Sequence, residues 1–358
     1  MTRDASASAR QIRSLTSLRF FAAVAVLCFH YFGFRFGRLG VSFFYVLSGF
    51  VLTYIYDERL RSRAATTDFF VRRIARIYPT HLLMFFVGLP VFLHLAQAYL
   101  HAGALWTGTA AAANLLLLHS WWPDHNVYLG FETGSWSLSD EAFFYAMCPL
   151  LLGLRNLRVV GLALAVVMVG TLGLVVARPS EFALWLFYVN PTFRLLEFLV
   201  GIGCCRLLAN GRRLLSGTPG ELAALGSLGA AMIVAYASPA KLELLTYSII
   251  FIVPSALIVA SFAQEAGAIS KLLRGALFVE LGEGSYALYL THEIAFVYAV
   301  HIIDGLAFRV VLAVLVIGLS IVVHRLYELP ARRRIIRWYE DRADRRRARE
   351  YRLFSDVL

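Results

Sequence analysis

Long apolar runs recur along almost the whole chain, and they restrict its fold more than any other feature of the sequence. Eleven runs between Leu15 and Val323 are about long enough to form membrane-crossing helices. With 59% hydrophobic residues and a mean hydropathy of +0.67, the chain is far too apolar for a soluble domain. The sequence therefore predicts an all-α fold, a polytopic transmembrane helical bundle.

Positive charge is unevenly distributed between the apolar runs. Of the 34 Lys and Arg residues, 27 can be placed on one side of a membrane, as is typical of loops that face the cytoplasm. For this reason we interpret the net charge of +11 as a sign of membrane orientation rather than of nucleic acid binding. The distribution predicts a multi-pass protein of the cell membrane with both termini in the cytoplasm.

Termini on the same side require an even number of crossings, so one of the candidate runs should not cross. The segment 104–121 is less uniformly apolar than its neighbour and ends in tryptophans typical of a membrane interface. We expect this segment to be re-entrant or interfacial, which leaves about ten spans. The membrane domain is expected to cover 1–335, and 336–358 to form a basic cytoplasmic tail against anionic lipid.

The first apolar run carries a cation and a base on one face. Arg19 and His30 are eleven residues apart, which at about 100° per residue returns both side chains to nearly the same face. Ionisable groups in a membrane helix usually face a protein interior or a watery cavity. We interpret this helix as the spine of an active site; the alternative is an interfacial arginine and a structural histidine.

Three arginines lie within one helical turn just before the third apolar run. Arg72, Arg73 and Arg76 fit an ordinary cytoplasmic basic cluster. They also suit a multiply charged phosphate ligand, because guanidinium groups bind phosphate oxygens in pairs. The sequence leaves both interpretations open.

Two neighbouring acids head a later apolar run, within 134–150. Asp140 and Glu141 incur a desolvation cost there unless a cation or a donor meets them. Since this run enters from outside, Glu141 should lie at the depth of His30, where a carboxylate would fix the tautomer of the imidazole. The sequence predicts depth but not adjacency, so the pairing of His30 with Glu141 is a hypothesis.

Two further runs also carry ionisable groups. Arg194 and Glu197 are three residues apart in mid-membrane, where an internal ion pair is the cheapest arrangement. His292, followed by Glu293, should either line a cavity or bond a backbone carbonyl.

The order of these motifs resembles the acyltransferase-3 family of integral-membrane acyltransferases. The resemblance covers roughly 12–335 and rests on Arg19 with His30, FFYVLSGF (43–50), the Phe69–Arg73 motif with RIYP (76–79), WSLSDEAFFY (136–145) and SYALYLTHE (285–293). RLLEFLVG (194–201) and YELPARR (327–333) also fit. The chain departs from the pattern at Ala142, where many members have a second acid, and at Phe20, where a Gly often follows the arginine.

The resemblance implies transfer of an acyl group, often acetyl, from cytoplasmic acyl-CoA to a hydroxyl of a sugar, a glycan intermediate or a glycosylated metabolite. Acyl-CoA is then a donor substrate, and we expect no permanently bound cofactor and no metal. The catalytic candidates are His30, Glu141 and Arg19. The cofactor-binding candidates are Arg72, Arg73 and Arg76. The substrate-binding candidates are Trp136, Ser139, Asp140, His292 and Arg194.

Three functions remain open from the sequence. As an acyltransferase, the protein would hold the thioester arm in a common tunnel lined by Arg19 and His30, with His30 as a general base or as the carrier of a covalent acyl group. A transporter or flippase would use Arg19, His30, Glu141 and Arg194 as a substrate or proton path. A membrane scaffold would need none of these groups.

Overall fold

The computed structural model of the chain describes residues 11–60, 62–98, 101–154, 156–176, 181–213, 215–238, 249–300 and 305–355. Within these ranges the regular secondary structure is helical, as predicted, and contains no strand. In chain order the α-helices are α1 Arg13–Phe32, α2 Leu39–Tyr56, α3 Arg63–Ala98, α4 Ala104–Leu115, α5 His125–Tyr128, α6 Trp136–Gly153, α7 Leu157–Val176, α8 Glu181–Leu184, α9 Pro191–Ala209, α10 Gly217–Ala237, α11 Ile252–Phe262, α12 Ala268–Leu273, α13 Ala276–Glu283, α14 Ser285–Val300, α15 Leu306–Val323 and α16 Leu329–Ser355.

Helices of membrane-crossing length and composition are present in the described part of the chain. Five helices meet both conditions, and they lie at Arg13–Phe32, Leu39–Tyr56, Arg63–Gln97, Gly217–Ala237 and Leu306–Arg345. Several other predicted runs form helices that are shorter or less apolar, and the run at 243–263 begins within 239–248, outside the described residues. The total of about ten spans therefore stays a prediction.

The segment 104–121 does not form a long helix. Helix α4 has 12 residues, which is about 18 Å of helix against a hydrocarbon core of about 30 Å. The chain then turns at Leu117, whose φ of 56° is left-handed, and makes a short 3₁₀ turn at His119–Trp121. A helix of this length is too short to cross the hydrocarbon core, and the re-entrant or interfacial position of the segment stays a prediction.

Small residues bring α2 and α9 into very close contact at the centre of the bundle. A Cβ atom at Gly49 would lie 2.0 Å from the carbonyl oxygen of Phe198, and one at Gly201 would lie 2.0 Å from that of Val46. Without side chains at these two positions the backbones approach each other directly, as is common in helical membrane proteins. This crossing sets the position of the helices that surround it.

Helix α1 lies against α2, α13, α14 and α15. Its C-terminus is closed by Gly33, whose left-handed φ of 67° lets its own N–H bond the carbonyl oxygen of Phe29 and the N–H of Phe34 bond that of Cys28. Near the other end, a Cβ at Gly282 would lie 2.0 Å from the carbonyl oxygen of Thr16. The helix that carries Arg19 and His30 is thus fixed near both ends.

The basic C-terminal segment is helical. Helix α15 continues through a π-helical turn, His324–Glu328, into α16, and α16 packs against α3. The proposed boundary between the membrane domain and a tail at 336–358 falls inside α16 and stays a prediction. We call the end of the bundle where α16 meets α3 the basic end, and the end that carries residues 116–135 the loop end.

We predict that Gly201→Ala destabilises the protein, because the new methyl group would meet the backbone of α2. Overpacking of this kind costs about 1–3 kcal/mol. The midpoint temperature of thermal unfolding in detergent should fall. Gly203→Ala is the matched control, since nothing lies within 4 Å of a Cβ at Gly203 on the same helix. Equal midpoints for the two variants would contradict the close crossing.

Candidate active site

A cavity of about 140 Å³ lies within the half of the bundle nearer the basic end, and we call it the inner cavity. Its walls come from α1, α2, α3, α6 and α14. Its polar lining residues are Arg19, Tyr45, Ser48, Arg73, Arg76, Ser137, Glu141, Tyr145, Ser285, Tyr286 and Tyr289. Three cations thus face one small space whose other walls combine hydroxyl groups, one carboxylate and apolar side chains.

The three arginines of the inner cavity differ in their partners. Arg76 forms an ion pair with the buried Glu328. Arg73 stands over the rings of Tyr145 and Tyr56, at 5.6 and 5.8 Å from their centroids. Within the described residues, neither Arg73 nor Arg19 has a carboxylate within salt-bridge distance. Two guanidinium groups are therefore available to an anionic ligand.

Arg72 does not line the inner cavity. Its Nε donates to Asp68 at 2.8 Å, and one of its terminal nitrogens donates to Glu340 at 3.0 Å. These bonds fasten α3 to α16 at the surface of the basic end. Of the three predicted cofactor-binding arginines, the structure brings Arg73 and Arg76 into the cavity together with Arg19.

Glu141 lies in the inner cavity and not beside His30, so the hypothesis that the two residues pair is wrong for this structure. The hydroxyl of Tyr145 donates to Glu141 Oε1 at 2.5 Å, and that of Ser48 donates at 3.4 Å. The carboxylate is also close enough to Arg19 to interact with its charge. The rotation of α6 about its axis turns Glu141 toward α2 and α3. The sequence indicated only the depth of Glu141 in the membrane and not the direction of its side chain.

The carboxylate that pairs with His30 is Glu293 on α14. His30 Nδ1 lies 3.4 Å from Glu293 Oε1, and the carboxylate is 9% exposed. A carboxylate oxygen only accepts, so this contact favours the tautomer with the proton on Nδ1 and leaves Nε2 as a base. The sequence held a signal for Glu293, namely an acid within an apolar helix. It is the same signal that singled out Glu141.

His292 completes a cluster with His30 and Glu293. Its ring centroid lies 5.2 Å from that of His30, and its Nδ1 lies 3.1 Å from the carbonyl oxygen of Leu288. Of the two predicted possibilities, the bond to a backbone carbonyl is the one observed. Its Nε2 and Glu293 Oε2 are both buried and have no hydrogen-bond partner among the described residues.

A second cavity, the outer cavity, opens toward the loop end and measures about 160 Å³. Its walls come from the second half of α3, the loop 125–133 and α14. Glu293 lines it, together with Glu132, Phe92, Phe131 and other residues of these three segments. The partner of His30 thus faces a different cavity from the one that holds the arginines.

Neither of these two cavities is the predicted common tunnel, since neither is lined by both Arg19 and His30, and hydrogen-bonded groups lie in the wall of the inner cavity near Glu293. The hydroxyl of Tyr289 lies 2.8 Å from Ser137 Oγ and donates to the carbonyl oxygen of Gly134 at 3.3 Å. Arg19 lines the inner cavity, and His30 does not. We call Tyr289, Ser137 and Gly134 the tyrosine layer.

The other substrate-binding candidates are packed inside the protein and line neither cavity. Trp136 lies against the ring of Tyr188 at 4.9 Å, and Ser139 bonds Ser120 at 2.7 Å. The hydroxyl of Tyr45 donates to Asp140 at 2.7 Å. Arg194 forms the expected pair with Glu197 at 3.2 Å, and both side chains are 2% exposed. In this structure these contacts are structural.

The cluster of His30, His292 and Glu293 also offers metal-ligand atoms, which lie within 4.8 Å of one another. Two histidines and one glutamate are a donor set that catalytic zinc uses. Arg38, however, is close enough to His30 for their charges to interact. Positive charge already faces the imidazole, which disfavours a divalent cation.

Comparison with known proteins places this chain in a class, the acyltransferases. The family model described as the acyltransferase domain matches residues 12–325. The chain therefore belongs to the acyltransferase-3 family, as its motifs predicted.

Three relatives illustrate the range of the family. The chain is 33% identical to acyltransferase MdmB of Streptomyces mycarofaciens, over 82% of this chain and 81% of the relative. It is 29% identical to the exopolysaccharide production protein ExoZ of Rhizobium meliloti, over 73% and 77%. It is 32% identical to the provisionally named peptidoglycan O-acetyltransferase YrhL of Bacillus subtilis, over 40% of this chain and 24% of the relative. No solved structure matches the chain.

We predict that the purified protein holds no stoichiometric zinc, because Arg38 faces the imidazole cluster. Elemental analysis of the protein in detergent should give far less than one zinc per chain. One zinc per chain that is lost in His292→Ala would contradict this prediction and would make the cluster a metal site.

Proposed function

We propose that this protein is a membrane-bound O-acyltransferase that transfers an acyl group, most simply acetyl, from acyl-CoA to a hydroxyl of a sugar, a surface glycan intermediate or a glycosylated metabolite. The observation that carries the proposal is the contact of 3.4 Å between His30 Nδ1 and Glu293 Oε1. This pair is the arrangement that a general base needs in order to accept a proton from a hydroxyl.

In this proposal the inner cavity binds the donor. The basic end faces the cytoplasm, in line with the distribution of Lys and Arg, and acyl-CoA enters from that side. Its phosphates meet the guanidinium groups of Arg19 and Arg73, which form bidentate, charge-assisted hydrogen bonds with phosphate oxygens. Glu141 and the Arg76–Glu328 pair position these arginines and are not the base.

The pantetheine arm of the donor, which carries the acyl thioester and is called the acyl arm here, then crosses the tyrosine layer. Arg19 and His30 lie about 16 Å apart along α1, so the arm extends beside this helix toward the imidazole. Passage requires Tyr289 to release Ser137 and Gly134, which makes the layer a gate between donor and acceptor. A gate of this kind keeps water at the loop end away from the thioester until an arm occupies the site.

In the transfer step, His30 and Glu293 account for the proton that the acceptor hydroxyl loses and the thiol gains. The acceptor oxygen attacks the thioester carbonyl, His30 Nε2 takes the hydroxyl proton, and Glu293 stabilises the resulting imidazolium. The C–S bond breaks, and coenzyme A leaves as the thiol after it receives the proton from His30. In a two-step route His30 carries the acyl group itself before the acceptor arrives. Both routes need the same tautomer of His30.

We predict that His30→Ala and Glu293→Gln both lower acyl transfer at saturating donor, because the first removes the base and the second its charged partner. A general base contributes about 10²–10⁴-fold to the rate. The measurement follows radiolabel from acetyl-CoA into glycan or glycoside products, with the protein in lipid nanodiscs.

His94→Gln, which changes an exposed histidine on α3, is the control and should keep wild-type activity. Full activity of His30→Ala would overturn the proposed function. Solute accumulation that depends on His30 and needs no acyl-CoA would favour a transporter instead.

We predict that Arg73→Gln weakens the use of acetyl-CoA but not of S-acetylpantetheine, which lacks the nucleotide phosphates. Loss of a hydrogen bond to a charged group costs about 1.5–3 kcal/mol, so kcat/KM for acetyl-CoA should fall about 10- to 150-fold. Arg72→Gln is the control, since Arg72 is bonded to Asp68 and Glu340 outside the cavity. Equal losses with both donors would contradict a phosphate-binding function for Arg73.

A further inference from the structure

Glu132 is a buried acid that the transfer step does not use. It lies in the loop after α5, its side chain is 2% exposed, and it lines the outer cavity. Neither carboxyl oxygen has a hydrogen-bond partner among the described residues. A buried polar group without a partner is destabilising, so an unpaired acid in a cavity wall points to a ligand that supplies the partner.

The Glu132 carboxyl lies beside that of Glu293. A Cβ at Gly134 would lie 3.1 Å from Glu132 Oε1 and 3.7 Å from Glu293 Oε2. Both carboxyl groups therefore lie next to the same position beside Gly134. Burial raises the pKa of Glu132 well above its ordinary value, and the neighbouring Glu293 carboxylate raises it further. The floor of the cavity therefore has one carboxyl that can donate and one that can accept.

The chain incurs strain to hold Glu132 in this place. Phe131, the residue before it, has a left-handed φ of 64°, which is rare and unfavourable for a bulky side chain. Its ring is stacked on that of Phe92 with centroids 3.8 Å apart. A Cβ at Gly88 would lie 2.2 Å from the Phe131 carbonyl oxygen, so only glycine on α3 allows this approach. Strain maintained by such packing is typical of ligand sites.

The size and lining of the outer cavity indicate what it binds. About 160 Å³ is ample for a small group, since a cavity needs only about 10–15 Å³ to hold one water molecule. Aromatic walls with a few placed polar groups are typical of small-molecule sites. Hydroxyl groups can accept from a protonated carboxyl and donate to a carboxylate, whereas a ligand with its own carboxylate or phosphate would be repelled by the carboxylate of this pair.

We propose that the outer cavity is the acceptor site, that it holds one neutral, hydroxyl-rich sugar ring, and that Glu132 is an acceptor-binding residue. This proposal rests on the proposed function, because it places the reacting hydroxyl at the base formed by His30 and Glu293. One ring hydroxyl faces Glu293, which lines the cavity and contacts His30, while Glu132 bonds the neighbouring hydroxyl. The Glu293 carboxylate selects against uronic acids and phosphorylated sugars.

The test measures sugar binding separately from donor chemistry. Saturation-transfer difference NMR would follow methyl glucoside and methyl glucuronide on the full-length protein in nanodiscs. We expect the wild-type protein to bind the glucoside, and to bind the glucuronide at least tenfold more weakly. In Glu132→Leu the affinity for the glucoside should fall about 10- to 100-fold, while Glu132→Gln should retain part of it.

Two further variants test the position of Glu132. Gly88→Ala should weaken glucoside binding as Glu132→Leu does, because its methyl group displaces the Phe131 carbonyl. Gly108→Ala, where nothing lies within 4 Å of a Cβ, is the matched control for a glycine in a helix. Glu181→Gln changes an exposed acid and should bind the glucoside as the wild type does.

The outcomes separate the two proposals. Equal glucoside affinity in the wild type and in Glu132→Leu, or no binding by either, would overturn the acceptor site. Radiolabel transfer from acetyl-CoA by the wild-type protein tests the proposed function separately. Absence of that transfer, beside glucoside binding that falls in Glu132→Leu, would count against the proposed function alone.

Discussion

The contact between His30 on α1 and Glu293 on α14 is the interaction on which the rest of the structure depends. A histidine and a carboxylate in the interior of a membrane bundle carry a desolvation cost unless they contact each other. Their contact requires α1 and α14 to keep a fixed axial position relative to each other. The hydroxyl of Tyr31 donates to the carbonyl oxygen of His292 at 2.7 Å, which fixes that position beside the pair. The close approach of Gly282, on the preceding helix α13, to Thr16 holds α1 near its other end.

The fold separates two kinds of charge around this pair. Guanidinium groups of Arg19, Arg73 and Arg76 collect in the inner cavity, and the carboxyl groups of Glu132 and Glu293 lie in the wall of the outer one. Arginines attract the phosphates of a nucleotide and carboxylates repel them, so in the proposed function each cavity suits one of the two substrates. Arg19 and His30 thus share helix α1 but do not line the same cavity.

The sequence predicts the helical class and the face shared by Arg19 and His30, because both follow from helix periodicity and apolar length. It also predicts the pair of Arg194 with Glu197, since residues three apart on a helix are neighbours whatever the tertiary structure. The partner of His30 could not be predicted in this way. Glu141 and Glu293 are both acids in apolar helices, and the choice between them depends on how α6 and α14 are rotated. That rotation is set by contacts between distant segments, such as Tyr45 with Asp140 on α6 and Ser137 on α6 with Tyr289 on α14.

The tautomer of His30 tests the central claim most directly. Nitrogen NMR of protein labelled with ¹⁵N-histidine, assigned by comparison with His30→Ala, reports which ring nitrogen carries the proton. The account predicts a proton on Nδ1 of His30, with a signal that shifts in Glu293→Gln and stays unchanged in Glu141→Gln. A proton on Nε2, or a signal that responds to Glu141 and not to Glu293, would contradict it.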